Sequence, residues 1–424
     1  MMRKAGVSRR DFLKGAAAAF AAPYVLTSTA LGAAGRPPAS ERIVMGAIGV
    51  GAQGGGHLGG LARHSRVEVV AVCEVDRERL AKALAKVPNA KGYNDFREVL
   101  ARPDVEAVVI ATPDHWHAPI SIVAMRAGKD VYCEKPLTLT IREGRALADT
   151  AGRYGRIFQT GSQQRSGAEF HTACELVRNG RIGRLHTVKV GITTRGGSNK
   201  PWSPQPVPER LDYDFWLGPA PWAPYHPDRV HYNFRFCSDY SGGDVTNWGA
   251  HHLDIAQWGI GADESGPLEV EGTGKRNRTG LHDVFYNINV TYTYAGDVKL
   301  ILGGGNSGGT RFEGTEGWIH VDRGKLEGEP KAVLKSKIGP DEIHLTFSKG
   351  GHMGSWIDAV RSRQTDYITA PPEVGQRSAT VCHLANIAML LERKLRWDPV
   401  KERFVGDEDA NRCLDRPRRE PWRI

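Results

Sequence analysis

Short apolar runs alternate with amphipathic segments over residues 42–160 of this 424-residue chain. The runs predict β-strands, and the segments between them carry apolar residues at helical spacing and predict α-helices. The predicted strands are Ile43–Ile48, Val67–Val72, Ala107–Ile110, Val131–Cys133 and Ile157–Thr160, and the predicted helices are Glu78–Leu84, Ala118–Ala127 and Ile141–Tyr154. Strand–helix alternation of this kind predicts an α/β fold with a doubly wound parallel sheet.

Beyond about residue 165 the pattern changes to alternating polar and apolar positions, separated by Gly and Asp. Such segments are typical of an open, mainly antiparallel sheet. They predict strands at Val284–Tyr294, Val298–Leu302, Trp318–Val321 and Ile343–Phe347, with helices near Phe170–Arg178, Met353–Arg361 and Ser378–Leu391. We therefore expect two folded domains, over residues 40–162 and 163–424.

Composition and charge narrow the classes of function. The chain is 40% hydrophobic and 25% charged, which is typical of a soluble globular protein. Of the formal net charge of +9, residues 1–34 contribute +4, which leaves about +5 for the remainder. Because this excess is diffuse and no basic stripe with interleaved aromatic residues occurs, we expect no nucleic-acid partner.

The first 34 residues have the pattern of an export signal. Ser8–Lys14 reads S-R-R-D-F-L-K, and the apolar stretch Gly15–Leu26 follows it. That stretch is too short for a membrane span, so we expect none that is stable. We interpret residues 1–34 as a twin-arginine signal peptide, recognised by the twin-arginine export machinery and leading to the periplasm or the exterior. A cytoplasmic, frayed N-terminus is the alternative.

A glycine turn follows the first predicted strand. Gly49, Gly51 and Gly54 allow a tight turn and a close approach of the backbone to a pyrophosphate. Glu74 comes 20 residues after Gly54, at the end of the second strand, where a carboxylate binds the adenosine ribose 2′-hydroxyl. These four residues predict a dinucleotide site that favours NAD, and nearby Arg77 keeps NADP open as an alternative.

Two further motifs follow strand ends of the same predicted sheet. Ala111–His117 reads A-T-P-D-H-W-H, and Glu134-Lys135-Pro136 follows the strand Val131–Cys133. Doubly wound folds form their ligand crevice at the carboxyl ends of the strands. A lysine there can hold a substrate oxygen and, if its pKa is depressed, take part in proton transfer. By itself, an E-K-P tripeptide is more often part of a solvated loop.

Together with Gly242-Gly243 and the segment Gly249–Asp254, which reads G-A-H-H-L-D, these motifs resemble the Gfo/Idh/MocA oxidoreductase family. The resemblance implies an N-terminal Rossmann domain and a C-terminal α/β domain with an open antiparallel sheet. It implies that the cofactor lies in the cleft with its nicotinamide facing that sheet. It further implies roles for Lys135 as the active-site lysine, His251 as general acid/base, and Thr112, Pro113, His117 and Glu134 as cofactor-side residues.

One position departs from the family pattern. Asn247 stands four residues before His251, where the family often has Asp. An Asp can orient the imidazole and stabilise its protonated form, whereas Asn supplies no charge. We therefore expect His251 to be a weaker base here, unless Asp244 or Asp254 compensates.

Several polar residues are candidates for binding substrate. They are Gln164 and Arg165, which follow the strand ending at Thr160, together with Asn247 and His252. Capping of the domain junction is the alternative for Gln164 and Arg165. The pair His251-His252 has no third ligand at convincing spacing, so we expect no metal. The proline- and tryptophan-rich loop Pro201–Pro227 either stacks on sugar rings or covers a partner subunit.

These features lead to one main hypothesis and two alternatives. We expect an exported NAD(P)-dependent oxidoreductase that acts on a sugar, glycoside or polyol by hydride transfer, with a tightly held cofactor. The first alternative is a redox-neutral NAD-dependent glycoside hydrolase or lyase of the same family, from which an epimerase is indistinguishable by sequence. The second is a non-catalytic sugar-binding protein. An open-faced sheet needs covering, so we also expect a homo-oligomer.

Overall fold

The computed structural model describes residues 37–348 and 350–423. The predicted signal peptide, residues 1–34, lies outside these residues. Within the described residues, none of the helices has the length and apolar content needed to cross a membrane.

Fifteen strands and twelve α-helices make up the described structure. The strands are β1 Ile43–Ile48, β2 Val67–Cys73, β3 Lys91–Tyr93, β4 Ala107–Ile110, β5 Asp130–Cys133, β6 Phe158–Thr160, β7 Leu185–Gly191, β8 Glu269–Arg276, β9 Phe285–Thr293, β10 Lys299–Gly303, β11 Gly309–Gly314, β12 Trp318–Asp322, β13 Lys325–Glu329, β14 Leu395–Asp398 and β15 Arg403–Phe404. The helices are α1 Ala52–Arg63, α2 Arg77–Leu84, α3 Phe96–Leu100, α4 Asp114–Arg126, α5 Ile141–Tyr154, α6 Ala168–Arg178, α7 Tyr213–Leu217, α8 Asp244–Asn247, α9 Gly249–Ile260, α10 His352–Ser362, α11 Pro372–Leu391 and α12 Glu408–Arg412.

The first sheet has six strands in the order β3-β2-β1-β4-β5-β6. The pairings of β1 with β4, β4 with β5 and β5 with β6 are parallel, as is that of β2 with β3. Strands β4 and β5 are buried along their whole length, which explains their continuous apolar sequences. The predicted doubly wound parallel sheet is confirmed, and its order reverses between β1 and β4, where such folds bind ligands.

Two elements of this region escape the sequence pattern. Helix α1 contains five glycines, which have low helix propensity, and it is held by burial of Leu58 and Leu61. Strand β3 is only three residues long and lies at the sheet edge, so no apolar run marks it. In both cases tertiary packing decides the local structure.

The second sheet has nine strands in the order β13-β12-β11-β7-β10-β9-β8-β14-β15. Its pairings are antiparallel except that of β7 with β10, which confirms the predicted mainly antiparallel sheet. One face is apolar and packs in a core with residues of α6, α9 and α11. The other face is half-exposed and polar, with Lys189 of β7 paired to Glu313 of β11 at 3.0 Å.

The predicted strand at Ile343–Phe347 is wrong, because the segment has no regular secondary structure. Its main-chain groups are satisfied by side chains of α6 instead of by a neighbouring strand. The Leu345 N–H donates to Glu175 Oε1 at 3.0 Å, and His171 Nε2 donates to the Leu345 carbonyl at 2.9 Å. Alternation of apolar residues does not reveal such side-chain partners.

Residues 208–236, here called the strap, connect the second sheet region back to the first sheet. Leu211 forms a β-bridge with Asp76, just beyond β2. Further along, the Trp216 carbonyl accepts hydrogen bonds from the ring N–H groups of His115 and Trp116, both on α4. The strap is therefore attached to the carboxyl end of the parallel sheet at two separate points.

Gly218 makes the second attachment possible. Its φ is +50°, and a Cβ at this position would lie 2.0 Å from the Trp116 indole. Only glycine allows so close an approach in this backbone conformation.

Candidate active site

A cleft lies at the carboxyl ends of β1, β2, β4 and β5, with an empty volume of about 1320 Å³. It contains most of the residues that the sequence predicts for cofactor and substrate binding, and the strap forms its second wall. The predicted residues in its lining are Gly49, Gly51, Glu74, Thr112, Pro113, His117, Glu134, Lys135 and Asn247. The strap contributes Phe215, Trp216, His231, Tyr232, Phe234 and Arg235.

The glycine turn is built for the close approach of a ligand. Gly49 has φ of +76°, and a Cβ on Gly54 would lie 1.9 Å from the Gly49 carbonyl oxygen. The turn therefore closes directly onto the first residues of α1, whose N-terminus attracts anions. A Cβ on Gly51 would lie 2.7 Å from the Arg79 guanidinium, which places a cation beside the turn. These residues fit a dinucleotide pyrophosphate.

Glu74 follows β2 and lies at the cleft edge, as predicted. Its carboxylate accepts hydrogen bonds from the main-chain N–H groups of Val50, Val75 and Asp76 at 3.0–3.2 Å. Burial raises the pKa of Glu74, and these N–H groups together with Arg79 oppose the rise. The contacts hold the carboxylate next to the glycine turn, where it can accept from a ribose hydroxyl.

The segment Thr112–His117 forms the junction of β4 and α4, with Pro113 as the residue before the helix. The helix begins earlier than predicted, so His117 lies in its first turns. The two ring nitrogens of His117 lie 2.7 Å from the Pro136 carbonyl and 2.8 Å from the Thr112 carbonyl. His117 thereby links the two strand-end loops. The Thr112 hydroxyl is buried and has no partner among the described residues, so it is available to a ligand.

Glu134 is a buried residue of the cleft lining and positions its neighbours. Its side chain accepts from His57 at 2.7 Å, Gln163 at 2.7 Å and Gln53 at 3.2 Å. Burial raises the pKa of Glu134, but the bond and charge of His57, followed by Lys135, lower it overall. The carboxylate therefore stays ionised beside Lys135.

Lys135 projects from the end of β5 toward α8. Its ammonium donates to the Asn247 side-chain oxygen at 3.0 Å and to the Asn247 carbonyl at 3.1 Å. Burial lowers the pKa of Lys135, Glu134 and Asp114 oppose this, and Arg235 adds to the lowering. A half-buried lysine with a depressed pKa can hold a substrate oxygen and share a proton with it.

His251 lies one helical turn after Asn247, on α9, and is buried. Burial lowers its pKa well below the usual range, and the positive charges of Lys135 and Arg323 lower it further. Its Nδ1 has no hydrogen-bond partner among the described residues. The ring is therefore neutral near pH 7, with a nitrogen free to accept a proton.

The two carboxylates that might have compensated for Asn247 are engaged elsewhere. Asp244 accepts from Arg195, whose main-chain N–H lies 2.9 Å away, and lies 3.5 Å from the Asn247 amide. Asp254 is paired with Arg165 at 2.9 Å. Both carboxylates thus accept their hydrogen bonds from groups other than the His251 ring.

Arg165 is a correction to the sequence prediction. Its side chain is 2% exposed and pairs with Asp254 at 2.9 Å and with Asp263 at 2.7 Å. Its guanidinium also lies 5.0 Å from the centroid of the Trp258 ring. The structure therefore places Arg165 in the core, with its donors used by two carboxylates, and not in a position to bind substrate.

Gln164 and His252 also lie outside the lining of the cleft. The Gln164 side chain is buried, and neither amide atom has a hydrogen-bond partner within residues 37–348 and 350–423. His252 faces β12, with its Nε2 3.9 Å from Asp322, and burial lowers its pKa to about 4. The unpaired side-chain amide of Gln164 can form hydrogen bonds with a ligand, whereas the His252 ring faces β12 of the second sheet.

The strap brings cations and aromatic groups to the cleft that no sequence motif marks. Arg235 acts electrostatically on Lys135, and its guanidinium lies 3.8 Å from the centroid of the Tyr232 ring. The aromatic composition of Pro201–Pro227 indicated an ordered covering segment, but no motif assigned it to the chain's own cleft. His115 of α4 is a buried structural residue whose pKa burial lowers to about 4.

Comparison with known families agrees with this geometry. Residues 43–162 match the family model described as "Oxidoreductase family, NAD-binding Rossmann fold". Residues 175–424 match "Oxidoreductase family, C-terminal alpha/beta domain". The chain therefore belongs to the Gfo/Idh/MocA oxidoreductase family, and its N-terminal part is an NAD-binding Rossmann domain.

Curated relatives match less than half of the chain. A protein of Shewanella oneidensis named alpha-N-acetylgalactosaminidase is 34% identical over 203 residues, which cover 42% of this chain and 44% of the relative. A Shewanella sp. protein named glycosyl hydrolase family 109 protein 1 matches with the same identity and coverage. The match thus spans less than half the length of these relatives.

Solved structures share the fold over most of the chain. The WlbA dehydrogenase of Bordetella pertussis, solved with NADH and UDP-GlcNAcA, has a TM-score of 0.61 and 19% identity. The aldose-aldose oxidoreductase of Caulobacter crescentus has a TM-score of 0.60 and 19% identity. Each similarity covers 84% of this chain and 99% of the other.

Proposed function

We propose that this protein oxidises a hydroxyl-bearing carbon of a sugar, glycoside or polyol by hydride transfer to an NAD that stays bound. The carrying observation is Lys135, which lines the NAD cleft and whose half-buried ammonium is held at Asn247. His251, one helical turn after Asn247, is a neutral imidazole that is buried outside the lining of the cleft. Family membership and the sugar-related neighbours support a carbohydrate substrate.

These residues divide the chemistry between them. When bound, NAD accepts the hydride that leaves the carbinol carbon. Lys135 donates a hydrogen bond to the hydroxyl oxygen and stabilises negative charge there, while His251 takes the hydroxyl proton. His251 is buried and Lys135 half-buried, so both are partly screened from bulk water, which strengthens each contact.

The decisive experiment measures reduction of resident NAD when sugars are added to the purified enzyme. We expect Lys135→Ala and His251→Ala each to slow this reduction by at least about 100-fold, because a positioned acid or base contributes roughly that much. His344→Ala is the matched control, since His344 is an exposed histidine of the second domain. Full activity in the Lys135→Ala, His251→Ala double variant would refute the proposal.

A second candidate is a redox-neutral glycoside hydrolase or lyase. It is supported by the relatives named glycosyl hydrolase family 109 and alpha-N-acetylgalactosaminidase. In this route oxidation of the sugar to a ketone acidifies the neighbouring C–H, and loss of that proton expels the aglycone, which leaves as its alcohol. In the hydrolase case water then adds to the resulting double bond, and the hydride returns to the carbonyl carbon. Phenol release from an aryl α-N-acetylgalactosaminide without added NAD would favour it. Oxidation that requires a carbonyl acceptor would favour the first candidate, and sugar binding without turnover would favour a binding protein.

We also propose that the protein is exported by the twin-arginine route. Ser8–Lys14 supports this, and a resident cofactor suits a compartment that lacks free NAD. Fractionation of cells that express the full chain tests the proposal. An Arg9→Lys, Arg10→Lys variant that still reaches the periplasm would contradict it.

We further propose a homo-oligomer that uses the polar open face of the nine-stranded sheet. That face carries residues such as Lys189, Glu313 and Arg311 and is left uncovered by the helices of the described chain. Light scattering after size-exclusion chromatography would show a mass above 46.5 kDa if the proposal holds.

A further inference from the structure

Segment 416–423, here called the latch, is bonded to the strap next to helix α7. The Arg419 main-chain N–H donates to the Pro219 carbonyl at 2.9 Å, and its Nε donates to the Gly218 carbonyl at 2.9 Å. Its Nη2 donates to the Asp214 carbonyl at 2.7 Å, and its Nη1 contacts the Asp214 carboxylate. Arg419 therefore bonds carbonyls within α7 and immediately after it, and fixes this part of the strap.

Trp422 of the latch supports the cleft wall from behind. Its ring centroid lies 4.7 Å from that of Trp116 and 5.2 Å from that of Phe215. Trp116 and Phe215 both line the cleft, and their rings stack at 5.7 Å. Removing Trp422 would leave Phe215 without one of its packing partners, so the wall of the cleft would loosen.

The strap spans the cleft from its adenosine side to its catalytic side. At one end Arg210 pairs with Asp76 at 3.2 Å, and His231 lies 3.5 Å from the same carboxylate, close to Glu74. At the other end, the positive charge of Arg235 lowers the pKa of Lys135. A dinucleotide that extends from Glu74 to Lys135 must pass between the glycine turn and the strap.

We propose that the strap closes over the bound dinucleotide and that the latch, through Arg419 and Trp422, holds the strap closed and limits cofactor release. This inference rests on the proposed retention of NAD by the enzyme. In this arrangement the rate of NAD release is set by contacts of Arg419 and Trp422 that are remote from the dinucleotide itself. The Rossmann side of the site binds the nucleotide, and the latch determines how long it remains.

The test is a displacement experiment on the full chain. Each protein is loaded with NADH and mixed with excess NAD, and the loss of bound NADH fluorescence is followed. We expect Arg419→Gln and Trp422→Ala to release NADH about tenfold faster than the parent protein, since losses of packing and hydrogen bonds at a closed site act mainly on dissociation. Arg423→Gln is the matched control, because Arg423 pairs with Glu420 at 2.6 Å and is 82% exposed.

The outcomes separate the two proposals. A parent protein that exchanges NADH within the mixing time refutes retention, and with it the proposed function. A parent protein that holds NADH while Arg419→Gln and Trp422→Ala release it no faster overturns the latch alone. If Trp422→Ala does not fold, Asp214→Ala decides, because Asp214 is an exposed residue of the strap and this change removes the carboxylate that Arg419 contacts.

Discussion

Lys135 and Asn247 are joined by two hydrogen bonds, from one ammonium to the main-chain and side-chain oxygens of one residue, at 3.1 and 3.0 Å. This contact connects the strand end that carries the E-K-P motif to the helix turn that precedes His251. The asparagine that departs from the family pattern is therefore the residue that positions the lysine. It supplies neutral oxygens where an aspartate would supply a charge.

Replacing Asn247 with Asp tests this electrostatic difference. In the parent protein, burial and the nearby cations lower the pKa of His251, so the ring stays neutral well into the acid range. A carboxylate at position 247 stabilises the protonated ring and raises the pKa of His251. We expect the acid limb of the kcat/KM profile to move up by about one pH unit or more.

Asn247→Ala is the control for this variant. It removes the side-chain oxygen that Lys135 contacts but adds no charge, so the acid limb should not move upward. An Asn247→Asp profile that coincides with that of the parent protein would show that position 247 does not influence the His251 ring.

Glu74 should determine the preference for NAD over NADP. Its carboxylate is fixed by three main-chain N–H groups next to the glycine turn and would repel a 2′-phosphate. We expect Glu74→Ala to narrow the preference for NAD at least about tenfold, because juxtaposed like charges cost several kcal/mol. Calorimetric titration with each dinucleotide measures this. Glu78→Ala, a change at an exposed acid of α2, should leave the ratio unchanged.

The buried Arg165 should contribute to stability and not to substrate affinity. Arg165→Met leaves Asp254 buried without its cation, which costs roughly 3–5 kcal/mol. We expect a correspondingly lower free energy of unfolding in urea, with an unchanged KM in the folded fraction. A raised KM at parental stability would instead support the substrate role that the sequence suggested.

Buried histidines should make the fold sensitive to mild acid. Burial lowers the pKa values of His115, His352 and His383 to about 4, below the value of about 6.5 that applies in the unfolded chain. The unfolded chain therefore binds more protons between these values. The stabilising contribution is complete above pH 6.5 and is lost as the pH falls toward 4.

Thermal unfolding between pH 7 and pH 4.5 measures this effect. His383→Gln is informative, because His383 Nε2 donates to the Thr138 carbonyl at 2.9 Å and a glutamine amide can replace that donor without titrating. We expect its Tm to fall less steeply with acid than that of the parent protein. An identical slope would exclude His383 from the acid sensitivity.

The NAD-binding domain of this protein is predictable from its amino-acid sequence alone. Apolar runs mark β1, β4 and β5 because strands buried on both faces are continuously apolar, and the glycine spacing marks the turn after β1. The positions of Glu74 and Lys135 follow, since carboxyl ends of parallel strands meet at one sheet edge. These relationships are local in the chain, so a linear pattern records them.

Side-chain contacts between distant segments of the chain can be identified only in the folded structure. The pairing of Arg165 with Asp254, the contact of Lys135 with Asn247 and the covering of the cleft by residues 208–236 each join positions far apart in the chain. Polar and aromatic side chains show the same sequence pattern whether they face solvent, a buried charge or a ligand. Their roles depend on which groups the fold places around them, because burial and neighbouring charge set both hydrogen bonding and pKa.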